Sequence, residues 1–187
     1  MEPHYFTGLA LPAEVKEKMA AWTREAAPSL SFKNWVHPED YHITLFFLGA
    51  ADTSTVQQTI ELLHHSCAAS SVFTMQAGGI GYFGPRKVPK VLWADTSCPE
   101  ELQHLQQRVA GSCVSAGFTE EKRKYRPHIT LARKWTETFS FSERFDYLPA
   151  LETMEWTVKE AVLFRTHPHR TPKYERVETF PLAPGPG

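Results

Sequence analysis

No apolar run in this sequence approaches the length of a membrane span, so nothing in it reads as a transmembrane helix. The opening residues, with Glu2 and the charged run from Glu14 to Lys18, do not resemble a secretory signal. Cysteine is scarce: Cys67, Cys98 and Cys113 are odd in number and share no Cys-x-x-Cys spacing, which argues against a disulfide frame or a zinc knuckle. A cytoplasmic protein with reduced thiols is expected. An excess of positive charge is also missing. The net charge of −1 lacks the broad basic surface that a duplex-DNA coat requires. Nothing in the chain demands an oligomer, and a monomer is expected.

What is present is enough apolar material for an interior. The 187 residues are 42% hydrophobic and include 12 Phe, which fits one domain or two small lobes sharing a core. The closing Pro184-Gly-Pro-Gly187 has no structural signal, and residues 183–187 are expected to form a loose tail. Local charge is more informative than the total. Between Lys122 and Lys134 there are six Lys or Arg and no acid, and this cluster brackets His128. A near-neutral chain with one basic rim suits a small phosphate or an RNA end.

Along the chain one pattern is written twice. Tyr5 to Leu11 reads as a strand stopped by Pro12, after which Val15, Met19, Trp22 and Ala26 share one helical face. His42 to Leu48 is an aromatic-rich strand ending at Gly49, and Val56, Ile60, Leu63 and Cys67 repeat the helical spacing. Val72 to Phe83 is extended, with Gly78, Gly79 and Gly81 marking a bulge or a close backbone approach. The pattern then restarts. Val91 to Thr96 reads as a strand, Pro99 opens a helix, and Leu102, Leu105, Val109 and Cys113 line its buried side. His128 to Ala132 is the next strand, followed by a short helix over 142–148, a long strand from Trp156 to Arg165, and a last strand from Tyr174 to Phe180. The expected fold is therefore α+β over residues 1–182. Two pseudo-symmetric lobes, with halves at roughly 1–86 and 87–182, would carry antiparallel-rich sheets, helices on the outer faces and a groove between them.

The two halves each contain His-Ile-Thr-Leu, at His42 and at His128, 86 residues apart. In a strand, alternation puts His42 and Thr44 on one side about 7 Å apart along the chain, with Ile43 and Leu45 on the other. His128 and Thr130 follow the same rule. Each strand thus offers an imidazole and a hydroxyl to one cavity and anchors itself by its other face. Cleavage of a phosphodiester needs one group to take a proton from the attacking water and another to give one to the leaving oxygen. Histidine titrates near neutrality, so a neutral and a protonated copy can divide those roles. Opposed lobes suit an in-line displacement, and threonine hydroxyls can hold the non-bridging oxygens. Such a reaction calls for no metal and no cofactor. Arg126 and Arg133, which flank the second motif, are candidate phosphate contacts. Arg133 lies five positions after His128 and faces away from it if the strand stays regular. Phe46 shares the face of His42 and Thr44 and could stack a terminal base. Tyr82, Phe83 and Trp93 lie near the proposed groove but read as core. His167-Pro-His169 reads as a solvated turn.

At these residues the chain resembles the two-histidine phosphoesterase superfamily, and within it the RNA 2′,3′-cyclic phosphodiesterases, LigT-like proteins once called 2′-5′ RNA ligases. The resemblance spans Tyr5 to Pro12, His42-Ile-Thr-Leu-Phe-Phe-Leu-Gly49, Pro89-Lys-Val-Leu-Trp93, Arg126-Pro-His-Ile-Thr-Leu-Ala-Arg133 and the closing segment from Leu163 to Leu182. Lys90 stands where the family often has arginine. The resemblance implies ring opening of a 2′,3′-cyclic phosphate at an RNA 3′ end or on a nucleotide, leaving a 2′-phosphate. It also implies His42 as proton donor to the 3′ oxygen, His128 as the base, and Thr44 and Thr130 on the phosphate. Three rivals are separable by assay. They are 2′-5′ ligation or small cyclic-nucleotide hydrolysis in the same site, a non-catalytic nucleotide-binding module, and a metallohydrolase, which the absence of an acidic or Cys/His ligand set disfavours.

Overall fold

Strand β1 (His4–Ala10) ends where Pro12 forbids its continuation, and helix α1 (Ala13–Ala26) starts at once behind that proline. Val15, Met19, Trp22 and Ala26 are buried as their spacing predicts, and the Trp22 indole N–H donates to the Pro149 carbonyl at 2.8 Å. The computed structural model describes residues 1–185. The remaining elements are β2 (Phe32–Trp35), β3 (His42–Ala50), α2 (Thr53–Ala68), β4 (Phe73–Phe83), β5 (Val91–Thr96), α3 (Glu100–Ser115), β6 (His128–Trp135), α4 (Ser142–Phe145), β7 (Met154–Val158), β8 (Glu160–Thr166) and β9 (Tyr174–Pro181). Asp52 caps α2, its carboxylate accepting the Thr55 N–H at 2.8 Å, and Pro99 sits at the N-cap of α3.

The architecture is α+β, with two antiparallel sheets of order β3-β1-β8-β9 and β2-β6-β5-β4-β7. Helices α2 and α3 pack on each other, with Ser66 and Ser112 sharing a hydroxyl hydrogen bond of 2.5 Å. They also cover the first sheet, α3 against β3 and α2 against β8 and β9. One hydrophobic core joins both sheets and the three long helices. The internal repeat is visible in the strand order. The pair β3-β1 matches β6-β5, and the third place is filled by β8 in one sheet and by β4 in the other. Each sheet therefore takes strands from both halves of the sequence.

That exchange explains one departure from the sequence reading. The long strand expected from Trp156 to Arg165 is two strands broken at Lys159, because β7 pairs with β4 and β8 pairs with β1. An unbroken apolar run shows burial but not a change of sheet. Strand β2 was not anticipated either; it has four residues, two of them the polar Lys33 and Asn34, and it holds the edge through Phe32 opposite Trp135. The helix expected over 142–148 is limited to α4. Ala183, placed in the expected loose tail, exchanges hydrogen bonds with Ser70 and Val72 at 2.8 and 3.0 Å. Residues 186 and 187 of that tail lie outside the described residues.

Candidate active site

Strands β3 and β6 lie against each other where the two sheets meet, and both His-Ile-Thr motifs open onto one cavity of about 720 Å³. His42, Thr44, His128 and Thr130 all line it, while Ile43, Leu45, Ile129 and Leu131 are buried behind them. The alternation argued for the motifs thus holds in both strands. Each histidine is fixed in the same way. The Nδ1–H of His42 donates to the Asp40 carbonyl at 2.7 Å, and that of His128 to the Arg126 carbonyl at 2.9 Å. A carbonyl can only accept, so in each neutral ring the bare nitrogen is Nε2. His42 Nε2 lies 3.0 Å from the Thr44 hydroxyl.

Past the threonines the regular alternation breaks, at the same place in both motifs. Opposite β1, Thr44 pairs with Gly8 and Phe46 with Thr7, so Leu45 is an extra residue. Opposite β5, Thr130 pairs with Trp93 and Ala132 with Leu92, so Leu131 is extra. A bulge of one residue reverses which side the following side chains face. Phe46, expected beside His42, is instead in the core at 5% exposure, and Phe47 lines the cavity at 63%. Arg133, expected to face away from His128, is brought back to line the cavity. Phe47 and Arg133 are equivalent positions, each five residues after its histidine.

Arg126 does not line this cavity. Its guanidinium lies over the rings of Trp93 and Phe83, at 4.9 and 5.5 Å from their centroids, and Phe83 meets His128 edge-on at 5.0 Å. The glycines flagged in β4 account for the ring beneath it. A Cβ on Gly81 would sit 2.1 Å from the Trp93 indole, so Trp93 lies directly on the backbone there. Lys90 is exposed, and its carbonyl accepts the Lys134 N–H at 2.9 Å.

Tyr174 and Asp40 gave no signal in the sequence. Tyr174 opens β9, lines the cavity and stands edge-on to the His42 ring at 5.2 Å, while Phe6 packs against the same ring at 4.7 Å. Phe6 could have been found from its place in β1, since alternation puts it on the face of the neighbouring motif. Arg165, His167, His4 and Glu2 also line the cavity, and His167 pairs with Glu175 rather than standing free in solvent. Burial pulls the His42 imidazolium down to about 4, with His128 and Arg133 adding to the effect and the Asp40 carbonyl and carboxylate opposing it. Burial also lowers His128, again with Arg133 and Arg126 acting in the same direction and the Arg126 carbonyl opposing. Burial thus favours the neutral form of both rings. Among the described residues no cluster of three or more His, Cys, Asp or Glu is placed to hold a metal ion.

Two antiparallel sheets that bring a His-x-Thr strand each to a shared cavity define a class of fold, and the comparisons agree with it. The profile of the 2′-5′ RNA ligase superfamily matches residues 11–170, and the chain belongs to that superfamily. It is 35% identical over 183 residues to an RNA 2′,3′-cyclic phosphodiesterase of Bacillus subtilis, covering 98% of both chains. A Geobacillus stearothermophilus protein of the same name is 39% identical over 184 residues, and the chain spans 98% of its own length but 58% of that relative. The crystal structure of E. coli LigT complexed with 3′-AMP has the same fold, with a TM-score of 0.81 at 23% identity over 97% of this chain and 99% of that one.

Proposed function

We propose that this chain hydrolyses the 2′,3′-cyclic phosphate at RNA 3′ ends to a 2′-phosphate, using His42 and His128 as an acid–base pair without a metal. The observation that carries this reading is the pair of equivalent histidines with both Nδ1 protons committed to carbonyls. That leaves each Nε2 as the group for proton transfer. His128 acts as base toward the attacking water, and His42 gives its proton to the departing 3′ oxygen. The Thr44 and Thr130 hydroxyls and the Arg133 guanidinium hold the non-bridging oxygens, the arginine supplying the fixed positive charge. Phe47 offers an aromatic face for the terminal base, since stacking tolerates any base.

Burial disfavours the imidazolium form of both rings, so the acid form of His42 needs a compensating negative charge. A phosphodiester brings negative charge between the rings, which opposes the effect of burial and favours one protonated ring. The protein is read as acting in a reducing compartment such as the cytoplasm, as a monomer, on RNA or nucleotide ends; its free thiols Cys67 and Cys113 are buried.

The test is incubation with an oligoribonucleotide ending in 2′,3′-cyclic phosphate, in EDTA, with the product identified by phosphorus NMR. Conversion to a 2′-phosphomonoester is the expected result. A 3′-phosphate product, or turnover that EDTA stops and a divalent ion restores, contradicts it. Joining of ends on addition of a 5′-hydroxyl oligonucleotide would identify ligation as the reaction of this site.

A further inference from the structure

The repeat makes Asp40 and Arg126 equivalent, since each precedes its histidine by two residues and lends its carbonyl to that ring's Nδ1–H. Their side chains break the equivalence. Asp40 is buried, at 5% exposure, and its carboxylate accepts two backbone N–H bonds, from Lys173 at 2.9 Å and from Tyr174 at 3.1 Å. Both carboxyl oxygens of Asp40 are thus engaged as acceptors. Those bonds also tie the start of β9, and with it the Tyr174 ring, against His42. Arg126 instead stacks outward on Trp93 and Phe83, beside His128.

We propose that Asp40 and Arg126 are positioning residues that divide the roles of the two histidines, Asp40 favouring the proton on His42 and Arg126 opposing it on His128. This rests on the phosphodiesterase reading above. The other charged groups around the rings do not favour a proton on His42 over His128. Arg133 acts in the same direction on both rings, and burial lowers both but His42 more strongly, so Asp40 works against the burial of the ring it serves. Behind His42, Lys16 is paired with Glu39 at 3.5 Å and Arg176 with Glu160, while the Tyr174 hydroxyl is neutral. Opposite His128 on β5 stands Asp95, whose carboxylate turns back to the Thr96 N–H at 3.0 Å. Once a phosphodiester occupies the cavity and favours a proton on either ring, the two unlike charges bias that proton toward His42. The same backbone carbonyl in both halves holds the rings, and the side chain on it sets their roles.

Asp40→Asn and Arg126→Gln test this through the pH dependence of kcat, which reports the substrate complex. Removing the Asp40 carboxylate lowers the His42 pKa, so the alkaline limb moves to lower pH and kcat at neutral pH falls on the order of tenfold, with KM unchanged. Removing the Arg126 cation raises the His128 pKa, so the acidic limb moves to higher pH while the alkaline limb stays. Arg126 is exposed, so its variant keeps the fold and decides the matter even where Asp40→Asn does not fold. A limb that stays put in a folded variant overturns the proposal, as do two variants that move the same limb. A drop in kcat with both limbs unmoved means a structural role only, and overturns it as well. Absence of wild-type turnover would instead refute the phosphodiesterase reading.

Discussion

Phe46 and Phe47 are neighbours of one residue type, and the bulge at Leu45 sends one into the core and the other into the cavity. Their substitutions should therefore separate stability from binding. Phe46→Ala should cost about 3–5 kcal/mol of stability, as for other large core truncations. Phe47→Ala should leave stability within about 0.5 kcal/mol and raise KM roughly 5- to 150-fold, the loss of one base stack. Urea melts and steady-state kinetics on the same preparations check both, and a stable Phe46→Ala protein with raised KM would reverse the assignment. His42 carries a second residue-scale consequence. Its imidazole takes up a proton near pH 6.5 when unfolded but only near 4 when folded, so stability is full above 6.5 and is lost as pH falls toward 4. Denaturant melts at pH 7.5 and 4.5 should show a smaller acid loss in His42→Gln than in wild type, and equal losses would mean that the ring is not buried as described.

At the scale of elements, β3 and β6 hold their groups by close contact with the strands beside them. Gly8 on β1 faces Thr44, and a Cβ there would lie 2.8 Å from the Ile43 carbonyl and 3.5 Å from the His42 ring. Gly8→Ala must push β3 away, because the near atom belongs to the backbone. A loss of about 1–3 kcal/mol is expected, with kcat falling more than KM rises as the His42 ring moves. Wild-type kcat in Gly8→Ala would show that the strand tolerates the shift. The strands themselves were legible because their composition and alternation report burial, and the motif histidines because they recur at matching places. The facing of the side chains beyond Thr44 and Thr130 was not legible. A period of two carries side chains forward only while pairing is regular, and the extra residue that reverses it depends on the neighbouring strand. That is why Phe46 is in the core rather than beside His42, and why Arg133 lines the cavity although an unbroken strand would turn it away. Asp40 and Tyr174 escaped for a different reason: their contacts join residues more than 130 positions apart, which no local spacing records.

For the whole molecule, the two halves of the chain are woven rather than set side by side. Each sheet takes its third strand from the other half, so the cavity is held by the entire core and not by a hinge between lobes. Both His-x-Thr strands line one cavity, and each sheet is built from strands of both halves of the sequence. Two rings held alike through Nδ1 and dividing acid and base roles should each fail without the other. The direct measurement is single-turnover hydrolysis of an RNA 2′,3′-cyclic phosphate by His42→Ala, His128→Ala and the double variant, each confirmed folded. The pair predicts that either single change removes nearly all turnover, at least about 10²- to 10⁴-fold, and that the double variant is scarcely slower than either one. A single variant that stays near the wild-type rate, or losses that multiply in the double variant as independent effects do, would contradict it.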